Sequence, residues 1–450
     1  MKKKLLGLIL SLAMVFTLWP AGAVTAFAAG DVEVSGTVNA SSLEDGAGLI
    51  LTGDTELVMD TARTLAWINC DQAYDADDED SKTFTHELTI RGAGELTVTG
   101  VVCVSRLTVS GAKVTAADTE LSSPGEITVT GSELTAYKLA SGTSITIAEH
   151  SILRITEKID TAGEVFITDS DVTAEAVNNG SHRTIIRSTV TGAIGGGGDT
   201  TIEDSVITTP GLSNAQNITV RESDLTMVGE RPGFNCGGSV VLENCTVEGT
   251  VSAISCGSSR TITKTDLVVS GSIGGGSETT ITDSNVTCAQ ISNGGDVIIR
   301  NSSVSTQSEY GITNGSGVEI TDSNVTLEGS FSVSEEITFV NSTVDVGGKI
   351  ANGGDVTLDR SRVVVHGTGC ERGVSLPGKL TVGNGSTLTA EGSVMALGAV
   401  NGITIGDMMR IVEPAGGTIG RTDESAPVWT MMNTDGVPAA RVRFSFLFTD

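Results

Sequence analysis

Aromatic side chains are scarce in this chain: three Trp, three Tyr and ten Phe among 450 residues. Proline is scarce too, at eight. Positive charge is in short supply, with 27 Lys and Arg against 55 Asp and Glu, a net charge of −28. That acidic balance argues against nucleic acid and anionic membranes as partners. No CxxC and no His/Cys cluster at zinc-ligand spacing occurs, which excludes a structural zinc site. The apolar run at residues 5–18 is shorter than the roughly 20 residues that span a bilayer. It follows three lysines and precedes Ala26-Phe27-Ala28, the pattern of a secretory signal peptide cleaved after Ala28. Cleavage leaves 24 basic against 55 acidic residues, a net charge of −31. The expectation is a secreted or cell-surface protein, with no membrane insertion once the signal is removed. Seven cysteines is an odd count, so at least one is unpaired within the chain.

What the chain has in abundance is glycine, 56 residues, together with Thr, Val and Ser, arranged as a repeat. The stretch TITDSNVTCAQISNGGDVIIRNSSV (280–304) states one phrase twice. Taking the apolar residue two places after its Ser as an anchor gives fifteen copies. They are Val114, Leu134, Leu153, Val172, Val190, Ile207, Leu225, Val247, Leu267, Val286, Val304, Val325, Val344, Val363 and Leu388. LTIRGAGELTVTG (88–100) reads as a sixteenth. Five places before the anchor a second apolar column runs from Val109, Val129 and Ala148 to Phe339 and Leu358. Thirteen places before it a third runs from Val101, Leu121 and Ala140 to Phe331 and Ile350.

Three short strands per copy, each turning one side chain inward, satisfy that pattern. Helical repeats need a longer unit and a 3.6-residue period. The expected fold is all-β: a right-handed parallel β-helix solenoid of about 15–16 coils of roughly 19 residues, capped at both ends. The expected organisation is a signal peptide at 1–28, an N-terminal cap at 29–86, the β-helix at 87–392 and a C-terminal cap at 393–450. Caps are needed because the end coils expose strand edges.

Two polar columns accompany the apolar ones. Two places before the anchor stands Ser in twelve copies, among them Ser170, Ser188, Ser205, Ser223, Ser284, Ser302, Ser323, Ser342 and Ser361. A small residue suits a tight corner, and stacked hydroxyls can bond along the solenoid axis. Eleven places before the anchor stand Asn179, Asn214, Asn293, Asn314 and Asn352, with Gly196 and Gly275 in the same column. Asn and Gly tolerate left-handed backbone, so this column is expected to form a turn whose amides stack. Cys103, Cys236 and Cys256 share the column. Cys236 and Cys256 fall on adjacent coils, ~4.8 Å apart at Cα, within disulfide range; a bridge and a pair of small turn-filling thiols are both open.

The Ser corners and Asn column resemble those of right-handed parallel β-helix proteins of the pectate-lyase-like architecture. The phrases ITVTGSELTA and TITDSNVTCA resemble secreted bacterial surface proteins often labelled carbohydrate-binding-domain-containing. The later GITIGDMMRIVEPAGGTIG and MMNTDGVPAARVRF resemble the segment that closes such solenoids, so the resemblance covers roughly residues 85–450. It implies a β-helix with extracellular polysaccharide or a surface protein as its partner.

Candidate site residues follow from proximity on adjacent coils. The longest insertions are VGERPG (228–233), STQSEY (305–310) and HGTGCERG (366–373), all after the third strand of a coil. They offer Glu230, Arg231, Glu309, Tyr310, His366 and Arg372 as binding candidates. The loops are expected four and three coils apart, roughly 19 and 14 Å, so they do not build one site. Three places before the anchor, Asp204 and Glu222 fall one coil apart, near the ~5 Å of a retaining glycosidase pair. An ordinary charged row, with Arg187 and Lys264 interleaved, is the favoured explanation, because an acidic solenoid places two acids in register by chance. No neighbouring coils present three acids and a base on one face, as a Ca²⁺-dependent lyase requires. The acidic loop DQAYDADDEDSK (71–82) is the place where Ca²⁺ would be sought, but it lacks the glycine and terminal Glu of an EF-hand. Outward Thr rows, such as Thr128, Thr261 and Thr280, suit exposed strands and are broken by Phe166, Val241 and Asp345. The expected function is therefore a non-catalytic surface or adhesion-type solenoid. The alternative is a polysaccharide-active enzyme on the same scaffold.

Overall fold

A computed structural model describes residues 30–70, 72–75, 78–423 and 427–447; for residues 72–75 and 78–83 only the backbone is described. The expected signal peptide and the side chains of the acidic loop lie outside that description. The chain forms two compact units, Met1–Thr201 and Ile202–Asp450. Each is a parallel β-solenoid, and between them they hold about 19 turns of a right-handed β-helix with ~19-residue spacing.

The period of two along a strand explains why the interior is richer than one side chain per strand. Segments such as Ile127–Thr130, Val240–Glu243 and Ile337–Val340 bury their first and third residues. Each coil therefore has extra inward rows beyond the three apolar columns of the sequence, among them Ile127, Val165, Val240, Val297 and Ile337. Each row stacks in register: Phe234, Ile254, Ile273, Ile291, Ile312, Phe331 and Ile350 are successive Cα partners in the second unit. Burying one such aliphatic is worth ~1.5–3 kcal/mol before chain entropy, so stacked coils succeed where one would not. Two bulky members, Phe331 and Phe339, meet edge to face across one coil at 5.8 Å.

Three details of the expected columns change. Val101 is 46% exposed, and Val102 takes the inward place beside Leu121. Ile147, not Ala148, pairs with Val129, because the next corner carries an extra residue: Glu149 and His150 both have positive φ. The expected cap at 29–86 already belongs to the solenoid. Val32–Asn39 pairs in parallel with Ala47–Val58, which pairs in parallel with Arg63–Cys70 and Glu87–Arg91. These coils lack the Ser anchor, which is why the column pattern begins later than the fold. An antiparallel pair, Gln72–Asp75 with Asp78–Phe84, branches from them. At the other end parallel pairing continues past residue 392, to Met395–Ala399 and Ile403–Ile405. Only then does the chain turn back: Arg441–Phe446 runs antiparallel to Thr387–Glu391 and Met409–Glu413. Antiparallel pairing there gives the last coil's edge its backbone partners.

Candidate functional site

The column holding Asp204 and Glu222 is the left-handed corner of the coil. Asp169, Arg187, Asp204, Glu222, Asn244, Lys264, Asp283, Asn301, Asp322, Asn341 and Arg360 all have φ between 48° and 54°. Gly111, Gly131 and Gly385 stand in the same column with φ of 61°, 57° and 78°. Left-handed backbone was expected at the Asn column instead. The corner was legible: a column that mixes Gly with Asp and Asn is the signature of positive φ. Strain confined to one residue points to function, whereas strain repeated in every coil is architectural. It is held by backbone bonds to the next coil, such as Asp322 N–H to Val340 O at 3.0 Å and Asn341 N–H to Asp359 O at 2.9 Å. Asp204 and Glu222 are both exposed on that corner.

Side chains along the corner satisfy one another from coil to coil. Arg187 donates to both carboxylate oxygens of Asp169, at 2.7 and 2.8 Å, and this holds the Asp169 carboxyl below its usual range. Asn341 donates to Asp322 at 2.5 Å, and Asn301 to Asp283. A shallow open groove lies beside the first of these pairs, lined by His150, Asp169, Asp171 and Arg187. Basic side chains on the strands are used in the same way: Arg106 bridges Glu87 and Glu126, and Arg221 bridges Glu203 and Glu243.

Next to the corner, the Ser column forms axial runs of hydrogen bonds. In each link the backbone N–H of one Ser donates to the hydroxyl of the Ser one coil on. The links run from Ser170 to Ser188, from Ser205 to Ser223, and from Ser284 through Ser302, Ser323 and Ser342 to Ser361, at 3.1–3.2 Å. Each hydroxyl returns its own proton to the carbonyl two residues back, as Ser323 does to Thr321 O at 2.6 Å. The Asn column works differently from the expected amide ladder. Its residues are buried strand ends whose amides bond within their own turn. Asn314 donates to Gly317 O at 2.6 Å, Asn352 to Asp355 O at 2.9 Å and Asn214 to Asn217 O at 3.2 Å. Asn293 does the same toward Gly295 and Asp296, while Asn179 accepts from Arg183 at 2.6 Å.

The three insertions lie after the strands Asp224–Met227, Ser303–Thr306 and Arg362–Val365. In register they stand four and then three coils apart, so Glu230 and Arg231, Glu309 and Tyr310, and His366 and Arg372 form three separate groups. Tyr310 is 59% exposed. His366 Nε2 lies 2.9 Å from Asp345 Oδ1 one coil back. Among the described residues no group of three or more His, Cys, Asp or Glu side chains is arranged to hold a metal ion.

Two buried guanidinium groups were not anticipated. Arg183 and Arg260 occupy one of the extra inward rows, 1% and 0% exposed, where other coils carry Ile or Val. Arg183 donates to Asn179 Oδ1, to Thr200 Oγ1 at 3.0 Å and to the Gly195 carbonyl; burial pushes its guanidinium well below the usual range. The signal lay in a repeated phrase one coil on, AIGGGGDTTI (193–202) and SIGGGSETTI (272–281). In each, a Thr replaces an inward aliphatic and accepts from the Arg, and a Gly replaces the Asn-column residue. A Cβ at Gly275 would collide with Arg260 Nη1 and with the Cys256 carbonyl.

Cys236 and Cys256 are Cα partners, as expected, but both are free thiols rather than a bridge. The reason is direction. In-register residues on parallel strands project side by side, so their Cβ atoms do not converge to the ~3.8 Å a disulfide needs. The Cys236 thiol and the Arg260 guanidinium hold the Cys256 thiol below its usual range, whereas donation to Cys256 and burial push Cys236 up. Burial alone pushes the Cys288 thiol up to about 12. No family model, curated protein or solved structure matches this chain.

Proposed function

We propose that this chain is an exported surface or adhesion-type solenoid that presents an acidic, Thr-rich exterior to glycans or protein partners and catalyses no reaction. The observation that carries the reading is the separation of its polar insertions: Glu230 and Arg231, Glu309 and Tyr310, and His366 and Arg372 stand four and three coils apart, ~19 and ~14 Å. Further support comes from in-register outward rows such as Thr89, Thr108, Thr128 and Thr146 in the first unit, and Thr338, Thr357, Thr381 and Thr404 in the second. Ladders of this kind offer hydroxyls at a fixed ~4.8 Å repeat, suited to many weak contacts along an extended polymer.

The test is to incubate the chain from residue 29 onward with pectic, host and bacterial polysaccharides, with and without Ca²⁺. Retention on the immobilised polymer and soluble oligosaccharide are both recorded. Retention without release is expected. Asp204 and Glu222, one coil apart, favour one rival specifically. Oligosaccharide release that disappears in Asp204→Asn or Glu222→Gln would replace this reading with that of a polysaccharide-active enzyme.

A further inference from the structure

Arg260 lies wholly inside the second unit, and none of its partners is a carboxylate. Its Nε donates to Thr279 Oγ1 at 2.9 Å, and Nη2 donates to Asn293 Oδ1 at 2.6 Å and to Ser277 O at 2.8 Å. Its Nη1 faces Cys256 Sγ at 3.8 Å. A buried cation without a counter-charge is costly. Among these partners only the Cys256 sulfur can carry negative charge. Arg183, in the equivalent place in the first unit, meets the amide oxygen of Asn179 where Arg260 meets Cys256. Burying an arginine in this fold therefore does not itself require a cysteine beside it.

Cys236 stands beside Cys256 on the neighbouring strand, and the two are 6% and 4% exposed. Side chains on in-register parallel strands point the same way, which sets the two thiols side by side within hydrogen-bond reach of each other. The strands that carry them are ~4.8 Å apart, a spacing that admits a linear sulfur–metal–sulfur unit, whose span is about twice a metal–thiolate bond of ~2.3 Å. We infer that Cys236 and Cys256 form a two-coordinate site for a soft monovalent cation of the Cu(I) class, with Arg260 as its built-in counter-ion.

Charge selects the class of ion. Two thiolates and one monovalent cation sum to −1, which the guanidinium balances inside the solenoid. Zn²⁺ on the same pair would leave the guanidinium unbalanced and would want two more ligands. Soft thiolates favour Cu(I) on their own account. Binding forms two metal–sulfur bonds and sends to solvent whatever protons the thiols hold, with no change of oxidation state. The residues that follow the two cysteines are Gly237 and Gly257, so no side chain of theirs obstructs a small ion.

The test uses the full chain, reduced and kept free of oxygen, titrated with Cu(I) against bathocuproine disulfonate as competitor. One tightly held equivalent with two sulfur neighbours in the copper K-edge spectrum is expected. It should be lost in Cys236→Ser, in Cys236→Ala and in Cys256→Ser, each checked for folding by circular dichroism. Arg260→Met should keep the two-sulfur spectrum and weaken binding on the order of 10–100-fold, as loss of an outer partner does, and Arg260→Lys should restore part of it. Three results overturn the inference: no tight equivalent in the folded protein, an equivalent that survives in the folded Cys236 and Cys256 variants, or a spectrum with three or more ligands.

Discussion

At the scale of single residues, the corner column sets the strictest demand in the chain. Asn341 has φ of 49°, a conformation that costs an L-residue about 1–2 kcal/mol unless a short polar side chain or glycine eases it. The column accordingly holds Asp, Asn and Gly, with charged residues whose heads reach solvent or a neighbour. Asn341→Val should destabilise the second unit by about 1–2 kcal/mol, because a β-branched residue combines the positive φ with crowding at Cβ and loses the bond to Asp322. Asn341→Gly should be close to neutral, since relief of strain offsets the lost hydrogen bond. Urea unfolding of the two variants checks both, and equal losses would show that the Asp322 bond rather than φ dominates. The neighbouring Ser requirement was readable from sequence because it repeats in copy after copy. The corner itself was readable only by taking the column from its first coil, where Gly111 and Gly131 betray the backbone that Asp and Asn disguise later.

At the scale of the coil, the buried arginines show how one substitution is accommodated by the next turn. Arg260 fits because Thr279 shortens the inward row and Gly275 removes a side chain from the Asn column one coil on. Gly275→Ala should therefore cost about 1–3 kcal/mol through overpacking against Arg260 and the Cys256 carbonyl. Arg260→Met in the same chain should recover part of that loss, because the flexible partner of the clash is gone while the backbone partner stays. A double-mutant cycle in urea measures the coupling; strict additivity would mean that the glycine serves the backbone alone. The repeated phrase around Gly196 and Gly275 was visible in sequence. Its meaning was not, because the Arg it serves lies one coil earlier and no local pattern marks that Arg as inward-facing.

At the scale of the whole molecule, the ends differ from the middle in kind. The second unit closes when Arg441–Phe446 runs antiparallel along Thr387–Glu391 and Met409–Glu413. Deleting residues 407–450 would strip the antiparallel backbone partners from Thr387–Glu391 and Met395–Ala399. The shortened chain should associate through its bared edge, seen as concentration-dependent mass by light scattering where the full chain shows none of that dependence. A shortened chain that stays monomeric would show that the last parallel coil protects its own edge.

Sequence alone determined the period, the parallel β-helix, the Ser column and the separation of the three polar insertions. Each of these repeats a local requirement once per coil, and fifteen copies make a weak preference legible. Tertiary structure alone decided where the solenoid begins, that Arg183 and Arg260 are interior, and that Cys236 and Cys256 stand side by side as thiols. Those outcomes depend on the direction of a Cβ and on what the adjacent coil puts opposite it. Direction and neighbour are properties of the stack, and a column of letters records the neighbour but not the direction.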